Sequence, residues 1–517
     1  MQTILYLAPV ILWVLVSVFK LLNGIGRRPK DFPPGPPTLP ILGNIHQLPT
    51  SQPHKKFQRW AEEYGPIFSL ILGTQVLIVL SSDVTIKELL DKRSATYSDR
   101  LEMYIGQTLC SGGYRFLMLP YGENWRMFRR IGHQLLNARA SQVYVPYQIL
   151  ESKQLLHELL NKPEKFFGSF RRYSNSLSTN IIYGWRTVRQ DDPRLLQVFE
   201  GFNNFGLLAQ TGAAAFADFF PFLRNLPDFM IPTKARAKAL HKKEMKMYLD
   251  LWLEAKKSIA DGTSKDSLCV DMAKQQELEG FTDEQAAYIV GSWLEAGSDT
   301  TAATLYGFVC ALLLFPEVQR KAQQELDLVI GTEHLPTLDD EPNLPYIRAC
   351  VKESLRWMPT ATLGGVPHAT TRDDIYMGFR IPKGAGIVQN IYAIHMDPNR
   401  YHDPRTFMPE RFLGDTQTAA EAARNPDPAK RDHFVFGSGR RICLGMHIAE
   451  RSLFIAIARM LWAFDFLPEK DAAGQDILPD GETLTEGLSV HPTSFKARII
   501  PRDSAKVKMI RAQMIME

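Results

Sequence analysis

Residues 282 to 315 are the stretch that most limits what this chain can fold into. Thr282-Asp283-Glu284-Gln285 has the Thr-x-x-Gln form of a helix N-terminal capping box, and Pro316 stops the run after Phe315. About 34 residues at 1.5 Å each give a helix on the order of 50 Å long, enough to cross a whole domain. It is apolar on most sides and is therefore expected to be buried. Its middle reads Ala296-Gly297-Ser298-Asp299-Thr300-Thr301. A glycine there costs roughly 1 kcal/mol against alanine, and buried acid and hydroxyl groups need partners. Local rules broken inside a strong helix are expected at functional sites; on these residues alone a packing kink is the competing reading.

The second strong feature is Phe436-Gly437-Ser438-Gly439-Arg440-Arg441-Ile442-Cys443-Leu444-Gly445, followed by an apolar helical run from Ile448 to about Phe464. A cysteine just before a helix sits where unpaired N–H groups and the positive dipole end converge. That setting is expected to lower the thiol pKa and favour the thiolate, the form that ligates a metal. Glycines let the backbone lie flat against a bulky partner, and Arg441 offers a fixed cation suited to a carboxylate on that partner. The bland alternative is a buried free cysteine in a glycine-rich loop.

The rest of the chain sets bounds. Of 517 residues, 45% are hydrophobic and 22% charged, an ordinary globular balance with an ample core. A net charge of +4 without Lys/Arg blocks gives no reason to expect nucleic acid. Cys110, Cys269, Cys310, Cys350 and Cys443 lack paired spacing, which argues for a reducing compartment rather than a disulfide framework. Thr3 to Leu22 is apolar apart from Ser17 and Lys20, long enough for a bilayer. Arg27, Arg28 and Lys30 follow and place the next residues in the cytosol. A retained anchor is preferred to a signal peptide, whose apolar region is shorter. Pro33-Pro34-Gly35-Pro36-Pro37 reads as a stiff extended spacer.

Ile67 to Leu72 and Gln75 to Leu80 read as a hairpin around Gly73-Thr74. Trp125 and Arg129 lie four apart on one helix face, with Arg126 and Arg130 facing outward as a cationic surface. From about Ser152 to Lys274 there is helical periodicity but no chemistry; Phe216 to Leu223 is unusually aromatic and Lys234 to Lys246 strongly basic. Leu344 to Trp357 reads as a helix on which Glu353 and Arg356 would form a surface pair worth about 0.2–0.5 kcal/mol. A β-rich stretch begins at Gly365-Val366-Pro367-His368, with turns at Gly378 and Pro382-Lys383-Gly384.

The order Phe-x-x-Gly-x-Arg-x-Cys-x-Gly resembles the haem-binding loop of the cytochrome P450 family. Leu444 departs from the proline of many microsomal members without touching a ligand. Four further motifs fall in the family's order: the Trp125–Arg129 pair, Ala296 to Thr300, Glu353-x-x-Arg356, and Pro409-Glu410-Arg411-Phe412. The resemblance implies a mainly α fold with a small β region: a transmembrane anchor at 1–24, a basic, proline-rich linker at 25–45, and a haem-thiolate monooxygenase domain at 46–517. It implies haem b, with Cys443 as the axial thiolate to iron and Phe436 packed near the sulfur. Arg441, Trp125, Arg129 and His368 would contact the propionates, although a lone His368 equally suits a core position. Thr300 would hydrogen-bond the iron-bound oxygen, Asp299 would help deliver protons, and Gly297 would leave room above the iron. Glu353, Arg356 and Arg411 would form a buried brace, contrary to the helix wheel. Leu363, Gly364 and Val366 would line the pocket, and Gly487-Leu488-Ser489 would close it.

The implied reaction takes O2 and NADPH-derived electrons from a separate flavoprotein reductase, with cytochrome b5 as a second donor. One oxygen atom would enter a lipophilic small molecule on the cytosolic face of the endoplasmic reticulum membrane. The wording from Gly365 to Thr371 is most similar to members from filamentous-fungal specialised metabolism. Two alternatives stay open at this level: a haem-thiolate isomerase or dehydratase that needs no reductase, and a haem sensor or carrier without catalysis.

Overall fold

The computed structural model describes residues 24–210, 212–332 and 334–515. The expected membrane anchor at Thr3 to Leu22 lies outside the described residues. Helix α1 is Pro53–Tyr64, and the predicted hairpin follows as β1 (Ile67–Leu72) and β2 (Gln75–Leu80), paired antiparallel from Ile67↔Leu80 to Leu72↔Gln75. Short β3 (Asp99–Arg100) precedes α2 (Glu123–Leu136), α3 (Val145–Asn161), α4 (Phe166–Tyr183), α5 (Pro193–Gln210) and α6 (Pro232–Ala260). The long helix α7 spans Asp283–Leu314, and α8 spans Pro345–Trp357. Then come β4 (His368–Ala369), β5 (Asp374–Tyr376), β6 (Phe379–Ile381) and β7 (Gly386–Gln389). Helix α9 (Met446–Ala463) runs straight into β8 (Phe464–Lys470). The main sheet has the order β1-β2-β7-β4-β3, with β2 and β7 parallel.

The ends of α7 fall where the local code puts them. Thr282 Oγ1 accepts from the Gln285 amide at 3.2 Å while Gln285 Oε1 accepts from the Thr282 amide at 2.9 Å, a reciprocal cap that satisfies two otherwise orphaned donors. Pro316 opens the next helix after Phe315 closes this one. Among the described residues α7 is the one helix long and apolar enough to span a bilayer, and 83% of its most apolar window is buried inside the protein. It is a core spine. Its first half packs with α2, α6 and the C-terminal half of α4, and its second half with α3, α8 and α9.

The proline segment, expected as a stiff extended spacer, is laid along the first strand. The Ser69 amide donates to Pro34 O at 2.7 Å and Ser69 Oγ to Pro33 O at 2.6 Å, so these prolines lie along β1. Arg28 donates to Gly35 O and Pro36 O, both at 2.9 Å, and Asn44 Nδ2 donates to Pro36 O at 3.0 Å. A proline run has no N–H groups with which to build its own ladder, so its carbonyls are satisfied by a neighbouring strand edge, an arginine and an asparagine.

Candidate functional site

One stripe of α7 is not covered. Between Ala286 and Leu313 every residue is buried except Trp293, Ala296, Gly297 and Thr300, which recur at i, i+3, i+4 and i+7. That spacing is one face of a helix, and at mid-helix in the centre of the protein it borders an internal chamber. Thr300 Oγ1 donates back to Ala296 O at 2.9 Å, which spends its hydrogen on the helix's own backbone and favours a local bend. Asp299, one residue round the helix, is only 7% exposed. Its charge acts on Arg171 of α4 and on His491, favouring the charged form of both against their burial. The structure therefore places Asp299 between α4 and the C-terminal turn, and Thr300 on the open face.

Gly297 has a second constraint. A Cβ built there would come within 2.5 Å of Ser178 Oγ on α4. The space the glycine leaves on that side is thus used by close contact between α7 and α4.

The cysteine loop approaches the same chamber from below α2. The Cys443 amide donates to Phe436 O at 2.9 Å and closes the loop, and a Cβ on Gly439 would lie 2.0 Å from Leu90 O, so the loop is seated against the backbone near Lys87–Lys92. The Phe436 ring meets His433 edge-on at 5.3 Å. Leu444 and Trp293 both close on Gly132 of α2, with distances of 2.8 and 3.1 Å from an ideal Cβ there. Cys443 is exposed while the other four cysteines are buried. It nevertheless lies deep in the protein, and burial pushes its thiol up, against the Gly445 amide and Arg129, which pull it down. The expected lowered thiol is therefore not what the polypeptide alone gives: desolvation of the thiolate outweighs the helix-end donors.

Three arginines surround this space. Arg441 stacks on the Trp125 ring at 4.5 Å and donates to Ser98 O and Leu119 O, both at 2.7 Å. Burial, with Arg129 adding to it, brings its pKa down to about 9. Burial likewise brings Arg129 down to about 10, with the Cys443 charge working the other way. Arg100 donates to Leu117 O at 2.9 Å and to Val366 O, and burial and then Arg441 hold its pKa far below the usual range. Among the described residues none of the three forms an ion pair with a carboxylate; Asp99 favours the charge of Arg100 and Arg441 from nearby. Cations held at depth without anions call for an anionic ligand.

Arg100 carries no motif, and sequence reading missed it; it joins the site because β3 pairs Arg100 with His368 on β4. His368 is 3% exposed, its Nδ1 lies 2.9 Å from Tyr97 O, and burial together with Arg100 holds its pKa far down. It is a neutral core histidine beside the arginines. Arg126 and Arg130 are exposed on α2 as expected, but Arg130 pairs with Glu279. Leu363 is half-buried against the sheet, while Val366 is buried with Ile105, Met118 and Phe205, and Leu488 packs on that group.

Behind the loop lies the brace. Arg356 Nε and Nη2 donate to Glu353 Oε2 and Oε1 at 2.6 and 2.7 Å, with both side chains fully buried. Glu353 Oε1 also accepts from the Met408 amide at 2.8 Å and from Arg411 at 3.4 Å, and Arg356 Nη1 donates to His395 O and Pro404 O, each at 2.9 Å. His395 carries the link onward. Its Nδ1 donates to Arg356 O at 2.9 Å and its Nε2 accepts from the Phe434 amide at 2.8 Å, two residues before Phe436. Those two bonds fix the neutral tautomer.

Haem b fits these residues. The open cysteine, three arginines without acids for two propionates, and an uncovered face of α7 match a flat, dianionic, thiolate-bound group. The sequence matches the Cytochrome P450 family over residues 33–498. It is 50% identical to cytochrome P450 monooxygenase virE of Hypocrea virens over 97% of this chain and 91% of that protein. It is 48% identical to cytochrome P450 monooxygenase fogE of Aspergillus ruber, covering 97% and 93% of the two chains. Against cytochrome P450 monooxygenase fsoB of Humicola fuscoatra the identity is 46%, covering 96% and 92%. The chain belongs to the cytochrome P450 family and is a haem-dependent monooxygenase.

Proposed function

We propose that this protein inserts one oxygen atom of O2 into a lipophilic small molecule of fungal specialised metabolism, through haem held by Cys443. The observation that carries this is the chamber itself: an exposed cysteine at depth beside Arg129, with Arg441 and then Arg100 next in line, none of the three ion-paired with a carboxylate among the described residues. When bound, haem supplies an iron that activates O2 with two externally delivered electrons and two protons, one oxygen leaving as water.

The chain's own residues do the rest. Cys443 Sγ would ligate the iron once the metal's charge displaces the thiol proton. Arg441, Arg129 and Arg100 would clamp the propionates, and Trp125 orients Arg441 by stacking under its guanidinium. Thr300 Oγ1 holds a proton that it can turn from Ala296 O toward the chamber. Asp299, set beside Arg171 and His491, would help deliver protons from the far side of that turn of helix. Phe116 and Trp293, edge-on at 5.8 Å, form an apolar wall that admits carbon-rich substrates and excludes water. Electrons would come from an NADPH-dependent reductase docking on the α2 side, where Arg126 and Arg440 are exposed.

The test is an absorption spectrum of reduced, carbon monoxide-bound protein beside Cys443→Ala. A strongly red-shifted band in the parent protein that the substitution abolishes is the expected result. A band unchanged by the substitution would sink the assignment.

An endoplasmic reticulum membrane location is supported by an apolar edge. Phe222, Phe229 and Met230 are 67%, 82% and 56% exposed, and Leu39 and Ile41 are 46% and 44% exposed. The two groups are joined where the Thr74 amide donates to Phe219 O at 3.1 Å and the Gly73 amide to Leu42 O at 3.4 Å. With residues 1–23 removed, the protein is expected to float with liposomes, and Phe222→Ser with Phe229→Ser should weaken that binding. Equal flotation of both forms would contradict this edge as a membrane contact.

A further inference from the structure

The strongest unexplained feature lies behind α7. Helix α4 carries Ser174, Asn175, Ser176, Ser178, Thr179 and Asn180, all buried, where it runs along the long helix. An apolar α4 would pack against an apolar α7 with no hydroxyls to satisfy, so this polar run needs a reason.

Its bonds converge on the broken segment. Ser174 Oγ donates to Gly297 O at 2.7 Å, and Asn175 Nδ2 donates to Ser298 Oγ at 3.0 Å. The Asn175 amide is itself oriented, because its Oδ1 accepts from Thr187 Oγ1 at 2.7 Å. Thr187 is set in turn by its amide, which donates to Ser176 Oγ at 3.0 Å. Consecutive carbonyls of α7 thus each accept one extra bond, from opposite sides: Ala296 O from the Thr300 hydroxyl on the chamber face, Gly297 O from Ser174 on α4. A carbonyl has two lone pairs, so the bond from Ser174 adds to the α7 ladder and ties it to α4.

We infer that Ser174 and Asn175 are positioning residues: they tether α7 at Gly297–Ser298 from behind, and so fix where the Thr300 hydroxyl sits. The inference rests on the proposed role of Thr300, and the experiment keeps the two apart. Neither residue touches the chamber, so each acts through the α7 backbone.

The haem-loaded protein would be compared with Ser174→Ala, Ser298→Ala and Thr300→Ala. Ser292→Ala is the matched control, since its buried hydroxyl donates only within α7, to Tyr288 O at 2.6 Å. Two quantities are read: hydrogen–deuterium exchange of the amides at 297–301, and the fraction of NADPH recovered as hydrogen peroxide when a purified cytochrome P450 reductase supplies electrons. Losing one net hydrogen bond should speed exchange about five- to tenfold in Ser174→Ala and Ser298→Ala. The peroxide fraction should rise in both, with the carbon monoxide spectrum and haem content intact. Ser292→Ala should match the parent in each. Unchanged exchange in Ser174→Ala and Ser298→Ala overturns the inference, whatever Thr300→Ala does. Faster exchange without added peroxide, while Thr300→Ala does raise peroxide, also overturns it and leaves the Thr300 reading standing. If Thr300→Ala leaves peroxide unchanged, the Thr300 reading fails, and with it the positioning role.

Discussion

Two groups of deep arginines flank the cysteine loop, and they differ in what surrounds them. Arg356 on α8 has Glu353 across two hydrogen bonds, two backbone carbonyls and a neutral histidine that relays its position to Phe434. Arg100, Arg129 and Arg441 have backbone carbonyls or a ring at most, and among the described residues no acid is bonded to any of them. A buried cation whose partners are all protein is part of the scaffold. One whose partner is missing from the protein marks where a ligand's charge belongs. The difference separates a brace from a binding site without reference to any motif.

The comparison can be broken at its strongest point first. Arg356→Leu leaves the fully buried Glu353 with only the longer contact to Arg411 and the Met408 amide, an expected loss of about 3–5 kcal/mol. Thermal melts of both haem-loaded and haem-free protein should fall together. A variant that melts like the parent in either state would mean that the brace is not carrying the loop.

Arg129→Met should split the two states. In haem-free protein it removes a desolvated cation with no ion-pair partner, so melting should be unchanged or raised. In haem-loaded protein it removes a charge-assisted contact worth about 1.5–3 kcal/mol, so haem should transfer faster to an acceptor protein. A lower melting temperature in the haem-free form would place Arg129 with the scaffold.

The smallest effect concerns pH. His433 is buried, neither ring nitrogen has a hydrogen-bond partner among the described residues, and burial brings its pKa down to about 4 although Asp432 opposes this. A histidine depressed in the folded state binds its proton first when unfolded. Its contribution is therefore present above the unfolded value near 6.5 and is lost as pH falls toward 4. Melts across that window should show the loss, and His433→Leu should flatten it. An unchanged slope would mean that His395 and His368, depressed in the same direction, carry the acid sensitivity.

What was legible in the chain follows from range. The α7 cap, its stop at Pro316 and the β1–β2 register depend on residues two to four apart, where spacing and turn chemistry suffice. The fully buried Glu353–Arg356 pair shows the limit: a helix wheel put it on the surface, because the segment from His395 to Arg411 that covers it is invisible to a local rule. Arg100 and Ser174 were missed for the same reason, since an ordinary arginine and one serine among many gain meaning only from β4 and α7, more than a hundred residues away.

By itself the sequence determined the elements and the chemical inventory of this protein: a long buried helix with a weak point, a thiol in a glycine-rich loop, and cations near it. Folding decided which charges are satisfied and which are left open. Hydrogen-bond geometry and desolvation act across space rather than along the chain. Burial even reversed the expected direction of the Cys443 thiol, because removing water from around a thiolate costs more than the nearby amide and arginine return.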